Sequence, residues 1–291
     1  MSTVSTTRKQ QRPDWLKVRL PSGESYFHLK SLMRGKTLHT VCEEARCPNV
    51  AECWGQGTAT FMILGDICTR ACRFCAVKTG MPNVADLDEP SRVAEAVASM
   101  GLRHAVITSV NRDDLKDGGA RIFAETIRSV RGQNPDTSIE VLIPDFKGSR
   151  ESLETVLDAN PEILAHNIET VPTLYKKVRP GANYRQSVEL LRRSREMAPD
   201  TFTKTGIMVG LGETREQIAL VMEELVVDAG VDIFTIGQYL QPTKEHHPVL
   251  RFYHPDEFEA LARKGKELGF RHVESGPLVR SSYHAATQIP K

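Results

Sequence analysis

The chain has 291 residues, 40% of them hydrophobic, which suffices for a sizeable core in one large domain or two small ones. Its 38 Lys and Arg against 37 Asp and Glu leave a net charge of +1, so no global field gathers nucleic acid or an anionic membrane. Apolar runs such as Phe61-Met62-Ile63-Leu64 fall far short of the roughly 20 residues a membrane span needs, so a soluble, cytoplasmic protein is expected.

Residues 1–12 are hydroxyl-rich and basic without an apolar stretch. They read as a frayed tail rather than a secretory signal, although Ser, Thr and Arg without acids is also the composition of organelle transit segments. From about residue 58, short apolar runs alternate with amphipathic stretches, the pattern of repeated βα units around a parallel sheet. Six strands are predicted, at Thr60–Leu64, His104–Ser109, Glu140–Ile143, Ile163–Asn167, Thr203–Val209 and Ile233–Gln238. Pro90 opens a helix with Val93, Val97 and Met100 on one face and Gly101 at its end. Thr214 and Gln217 form a capping box for another, with Ile218, Val221, Met222 and Leu225 buried and a stop at Gly230.

Six units are fewer than the eight that close a full barrel, so the expected fold is α/β: an incomplete (β/α)6 TIM-like barrel, splayed for a large substrate. A doubly wound open sheet is the second reading. In both, ligands collect beyond the carboxyl ends of the strands. The expected division is an N-terminal extension (1–57), the partial barrel (58–269) and a C-terminal tail (270–291).

All six cysteines fall between Cys42 and Cys75, with none in the last 216 residues, so they serve a local purpose. Three disulfides would suit a small secreted scaffold, and this chain is not built like one. Cys68-x3-Cys72-x2-Cys75 directly follows the first strand and puts three thiolates at the barrel mouth. Thiolates select zinc, soft copper or iron–sulfur clusters, and three can hold three corners of a [4Fe–4S] cube, leaving one iron open to a small molecule. A purely structural zinc site usually takes four protein ligands, and no nearby fourth Cys or His is present. Phe74, next to the last cysteine, is placed to shield such a cluster from solvent. His246-His247 lies in a Pro-bounded loop without metal-ligand spacing and reads as structural.

The loop C-x3-C-x-aromatic-C resembles that of the radical S-adenosylmethionine (SAM) superfamily. Gly206-Ile207-Met208-Val209-Gly210-Leu211-Gly212-Glu213 resembles the superfamily's G-x-I-x-G-x-x-E stretch, with Met208 in place of isoleucine; a strand running into a glycine turn and a capped helix accounts for the same residues. The first triad, Cys42-x4-Cys47-x5-Cys53, runs with Pro48 and Gly55 along a compact, irregular path and reads as a second cluster site lacking a fourth thiolate. The tail segment Arg280-Ser281-Ser282-Tyr283-His284-Ala285, too polar for a core strand, is expected to fold back across the barrel mouth and supply a ligand.

Both triads together with that terminal segment resemble the lipoyl synthase family within the superfamily, over residues 36 to 286. Three further stretches are similar: Thr108 to Leu115, His166 to Pro172, and Lys204-Thr205-Gly206. The resemblance implies that Cys68, Cys72 and Cys75 hold the SAM [4Fe–4S] cluster. It implies that Cys42, Cys47, Cys53 and a tail serine hold an auxiliary [4Fe–4S] cluster, Ser282 being favoured and Ser281 the fallback. Neighbours in an extended segment point opposite ways, so one of the two reaches the iron. The implied activity is that of a sulfurtransferase, inserting sulfur at C6 and C8 of a protein-bound octanoyl chain with the auxiliary cluster as donor. Such carbons are neither acidic nor electrophilic, so a cofactor must start the reaction. Ser282 is then the expected release point of the cluster, because an alkoxide matches soft iron poorly. Arg280 is expected either to steady the anionic cluster or to be an ordinary surface arginine.

Thr108, Asn111, Asn167 and Glu169, at the ends of the second and fourth strands, are the candidate SAM contacts, with turn chemistry as their other reading. Asp113 and Asp114 read as a cap or salt-bridge pair as readily as ligands. The implied partners are octanoylated carrier domains of 2-oxoacid dehydrogenase acyltransferase subunits and of the glycine cleavage H protein, a ferredoxin or flavodoxin reductant, and an iron–sulfur carrier protein. A biotin synthase-like enzyme or a methylthiotransferase is the nearest rival. An iron–sulfur electron carrier and a zinc-stabilised binding module are the non-catalytic alternatives.

Overall fold

The computed structural model describes residues 12–17, 24–44, 47, 49–55 and 58–288. Most of the hydroxyl-rich N-terminal tail and Pro48 lie outside the described residues. The strands are β1 (His39–Thr40), β2 (Thr58–Ile63), β3 (Ile67–Cys68), β4 (Lys78–Thr79), β5 (His104–Ser109), β6 (Ser138–Leu142), β7 (Ile163–Ala165), β8 (Phe202–Val209), β9 (Ile233–Gln238) and β10 (His272–Gly276). The helices are α1 (Glu24–Gly35), α2 (Val41–Glu44), α3 (Val50–Gly55), α4 (Glu89–Met100), α5 (Ala120–Gln133), α6 (Arg150–Leu157), α7 (Tyr175–Val178), α8 (Tyr184–Met197), α9 (Arg215–Val227) and α10 (Pro255–Leu268).

Eight strands form one sheet in the order β1-β2-β5-β6-β7-β8-β9-β10, parallel throughout except for the antiparallel β1–β2 pair. Seven parallel strands with outer helices make the open α/β barrel. Because such strands are covered on both faces, β2 and β9 are buried at every position, which is why they read as continuous apolar runs. The six predicted strands are present with ends shifted by up to two residues. β10 is the seventh, and it lies inside the segment expected to be tail. Its sequence, His-Val-Glu-Ser-Gly, carries one aliphatic residue, and it is an edge strand that pairs with β9 on one side only, so the apolar signal of a central strand is missing.

The two marked helices have the expected ends. Pro90 lies in the first turn of α4 and Gly101 closes it at φ 58°. Thr214 and Gln217 make a reciprocal cap on α9, which ends at Val227, three residues before Gly230. One core cluster joins β2, β5 and β6 to α4, α5 and α6, and a second joins β8 and β9 to α9 and α10. Inside the sheet, Lys204 Nζ of β8 reaches past β7 to both oxygens of Glu140 on β6, at 2.8 and 2.9 Å, and both side chains are buried. No helix among the described residues is long and apolar enough to cross a membrane.

Candidate active site at the barrel mouth

The Cys68–Cys75 loop leaves β2 at the carboxyl edge of the sheet and is pinned from several directions. Thr69 donates its amide and hydroxyl protons to Asn111 O, each at 3.0 Å, and Arg73 N donates to Val178 O at 2.9 Å. His246 Nε2 lies 2.9 Å from Cys75 O, His247 N donates to Arg73 O, and His247 Nε2 lies 2.9 Å from Leu211 O. The two histidines are thus structural, as expected, and what they brace is this loop. Phe74 packs against Val178, Leu211 and Tyr239. Cys68 Sγ accepts amide protons from Arg70 at 3.4 Å and Asn111 at 3.3 Å.

Arg70, between the first two cysteines of this loop, was not singled out in the sequence. Its guanidinium pairs with both oxygens of Asp113, at 2.6 and 2.9 Å, and both of Asp145, at 2.8 and 2.7 Å. Burial works against its charge, but the two carboxylates outweigh it and hold its pKa above the ordinary guanidinium value. Asp113 is therefore a salt-bridge partner, and so is Asp114, which pairs with Arg112 at 2.8 Å.

All six cysteines are free thiols. Burial pushes Cys75 up to about 12, with Cys72 and Cys68 adding repulsion, and it raises Cys72, against which Arg179 acts. Thiols close enough to repel one another as thiolates are the donor set that a soft cationic metal centre suits. Among the described residues, no three His, Cys, Asp or Glu groups close to the distances of a single metal ion.

Asn167 and Glu169 sit where β7 gives way to the loop beside β8. Asn167 Nδ2 donates to Glu169 Oε1 at 3.1 Å, whereas Asn167 Oδ1 is buried without a partner. Glu169 takes a left-handed φ of 68° and is stitched to β8 on both sides, through Gly206 O and Met208 N, each at 2.9 Å. A Cβ on Gly206 would lie 2.1 Å from Thr235 Oγ1 and 3.5 Å from Asn167 Oδ1, so glycine keeps open the space that the orphaned oxygen faces. Burial raises the Glu169 pKa, with Arg179 and Asn167 opposing it. This unspent polar cradle suits a ligand that is polar, cationic in part and rich in donors, as SAM is.

Thr108 and Asn111 enter differently. The Thr108 hydroxyl donates to Leu142 O at 2.8 Å, and Asn111 acts on the cysteine loop through its peptide group. Arg179 is the second residue that sequence reasoning missed. Its Nη1 donates to Asn167 O at 2.7 Å and its charge acts on both Cys72 and Glu169. A lone arginine between Val178 and Pro180 carries no spacing signal.

The first triad is built from the chain's two ends. Cys42 lies in α2 and Cys53 in α3, while Cys47 N closes a turn onto Cys42 O at 3.0 Å. Burial first, then neighbouring thiols, pushes Cys42 and Cys53 up to about 12. The Thr60 amide is directed at Cys42 and the His284 amide at Cys53, each opposing that rise. Arg280 is half-buried, donates from Nη1 to Val279 O at 2.6 Å, and opposes the rise of the Cys47 pKa by its charge. The tail arrives after β10: Val279 O occupies the place a Cβ on Gly237 would take, 2.1 Å away, and Asn49 Nδ2 donates to Leu278 O at 2.7 Å. Ser281 and Ser282 lie in a turn over residues 281–284 and not in the expected extended segment, so strand alternation does not separate the two serines. A cleft of about 630 Å³ is lined by Leu38, His39 and Glu43, near the first triad in sequence, and by Ala76, Lys78 and His246; none of the cysteines lines it.

The fold and the cysteine loop define an enzyme class, and residues 62–225 match the family model described as the radical SAM superfamily. Solved structures share the fold. Methylornithine synthase is 15% identical with a TM-score of 0.55, covering 87% of this chain and 82% of that one. Streptococcus suis SuiB bound to S-adenosylmethionine is 12% identical with a TM-score of 0.58, covering 85% and 60%.

Residues 2–47 match the N-terminal domain of lipoyl synthase. The lipoyl synthase of Rubrobacter xylanophilus is 60% identical over 95% of this chain and 86% of that one; those of Shouchella clausii and Bacillus cereus are 61% and 59% identical, over 96% and 97% of this chain and 90% and 95% of theirs. The chain belongs to the lipoyl synthase family of radical SAM enzymes. Membership brings a [4Fe–4S] cluster, SAM and lipoyl-carrier protein substrates.

Proposed function

We propose that Cys68, Cys72 and Cys75 hold the SAM cluster, and that Cys42, Cys47, Cys53 and Ser282 hold a second [4Fe–4S] cluster that is a substrate, giving up sulfur to C6 and C8 of an octanoyl-lysine. What carries this reading is the arrangement of six free thiols as two triads, one on the Cys68–Cys75 loop and one on α2, Cys47 and α3, with the terminal tail directing the His284 amide at Cys53. When bound, SAM and its cluster supply the hydrogen-atom abstraction that unactivated carbon requires.

The protein's part is placement and exclusion. Two peptide N–H groups orient Cys68, the Arg70 clamp fixes the loop, and the Phe74 cluster covers its flank. The free Asn167 Oδ1 and the Glu169 carboxylate receive donors of SAM, Thr108 and Asn111 border the same rim, and Arg179 offsets negative charge near Cys72. The carrier domains are those of 2-oxoacid dehydrogenase acyltransferases and the glycine cleavage H protein, in the cytoplasm. A ferredoxin or flavodoxin supplies electrons, and an iron–sulfur carrier protein rebuilds the spent cluster.

The test is anaerobic reconstitution with heavy sulfide, followed by an octanoyl-lysine peptide, SAM and a strong reductant. About eight irons per chain and two heavy sulfurs in the product are expected. Product containing only light sulfur, or a chain that loads two zincs instead, overturns the reading.

A further inference from the structure

Tyr283 and His284 belong to the terminal motif but have no part in the chemistry above. Both end on one carboxylate of the opposite end of the chain. Tyr283 Oη lies 3.1 and 3.2 Å from the two oxygens of Glu52, and His284 Nε2 lies 3.1 Å from Glu52 Oε1. His284 Nδ1 lies 3.4 Å from Glu274 Oε1 on β10, and the Tyr283 and His284 rings stack with centroids 3.8 Å apart. His284 holds a left-handed φ of 55°, a conformation a non-glycine residue keeps only where its surroundings over-determine it. Gln288 Nε2 donates to Tyr283 O at 2.7 Å, and both Gln288 and Ala285 are buried.

The Ser281–Ser282 turn is thereby suspended between two anchors. Upstream, Leu278 O is held by Asn49 and Val279 O is seated on Gly237. Downstream, Tyr283 and His284 are held by Glu52, the residue next to Cys53. A slip of one residue would exchange the positions of the two serines, and the downstream anchor opposes that slip.

We propose that Glu52 is a positioning residue: it seats the terminal turn on the first triad in one register, and so decides which serine meets the cluster. This rests on the reading that a tail serine is a ligand. It adds that the seat is made by contacts between protein groups and not through iron, so the serine can leave and return while its neighbours stay in place.

The experiment compares the full chain with Glu52→Ala, Glu52→Gln, Ser282→Ala and the pair Tyr283→Phe with His284→Gln. Hydrogen–deuterium exchange over residues 278–288 is read in cluster-free protein, and Mössbauer spectra after anaerobic loading. Glu52→Ala is expected to speed exchange in the tail by roughly tenfold in the cluster-free chain, Glu52→Gln by less, and the Tyr283/His284 pair by as much as Glu52→Ala, with no further gain on combining them. The loaded Glu52→Ala protein should also show a heterogeneous auxiliary-cluster signal. Unchanged exchange in both Glu52→Ala and the Tyr283/His284 pair overturns the proposal. Failure of the ligand reading looks different: Ser282→Ala would leave the Mössbauer spectrum untouched while Glu52→Ala still freed the tail, and the seating would stand.

Discussion

The two cysteine triads use the same ligand chemistry on opposite foundations. The Cys68–Cys75 loop is bolted to the barrel by β5, β6, α7 and the His246-His247 segment, through contacts made by residues far apart in the sequence. The Cys42–Cys53 triad stands on two short helices beside β2 and is completed by a tail held mainly through side-chain contacts to Asn49 and Glu52. Under the proposed function the difference matches two fates: a resident cluster needs a rigid frame, whereas a cluster taken apart in each cycle needs a frame that can open and close without unfolding the barrel.

That contrast breaks most completely at a thiolate. Cys72→Ala should abolish SAM cleavage, by more than about 10³-fold, while the other triad keeps about four irons, measured by iron content and 5′-deoxyadenosine release. Arg70→Gln comes next. It leaves the Asp113 and Asp145 carboxylates facing each other without their cation, a loss of about 3 to 5 kcal/mol for a buried charge network. Thermal unfolding should fall accordingly, and iron loss should be confined to the SAM loop; equal loss from both triads would show that the frames are not separate. Ser282→Cys should keep both clusters loaded and slow single-turnover sulfur insertion by roughly tenfold, because the fourth corner would then be as soft as the rest. Unchanged product with intact loading removes the release role.

The smallest effect is alkaline. In cluster-free protein the Cys42, Cys53 and Cys75 thiols are raised from 9.0 to about 12, so the stability of their neutral forms is fully present below about pH 9 and is lost as pH climbs toward 12. Two of these thiols lie in the first triad and one in the second. Replacing Cys42 and Cys53 by serine should therefore flatten the alkaline unfolding curve more than replacing Cys75.

The proposed ligands stand out in the sequence, because each triad is a local motif and thiolate spacing has few other meanings. The strands of the sheet were equally visible where both faces are covered. β10 was not, since its polar residues bind the tail and α10 rather than a neighbouring strand. Arg70, Arg179 and Glu52 were invisible for a related reason: each matters through partners 43, 12 and 231 residues away, and no periodicity records such meetings.

The Glu140–Lys204 pair sets a condition on traffic. Lys204 precedes Gly206 by two residues on β8 and so shares its face, one layer beneath the cradle of Asn167. The buried ion pair there forms a charged floor beneath the cradle. Under the proposed function, a molecule that settles in the cradle rests on this charged floor and leaves by the mouth it came through, so product has to clear the entrance before the next molecule is admitted.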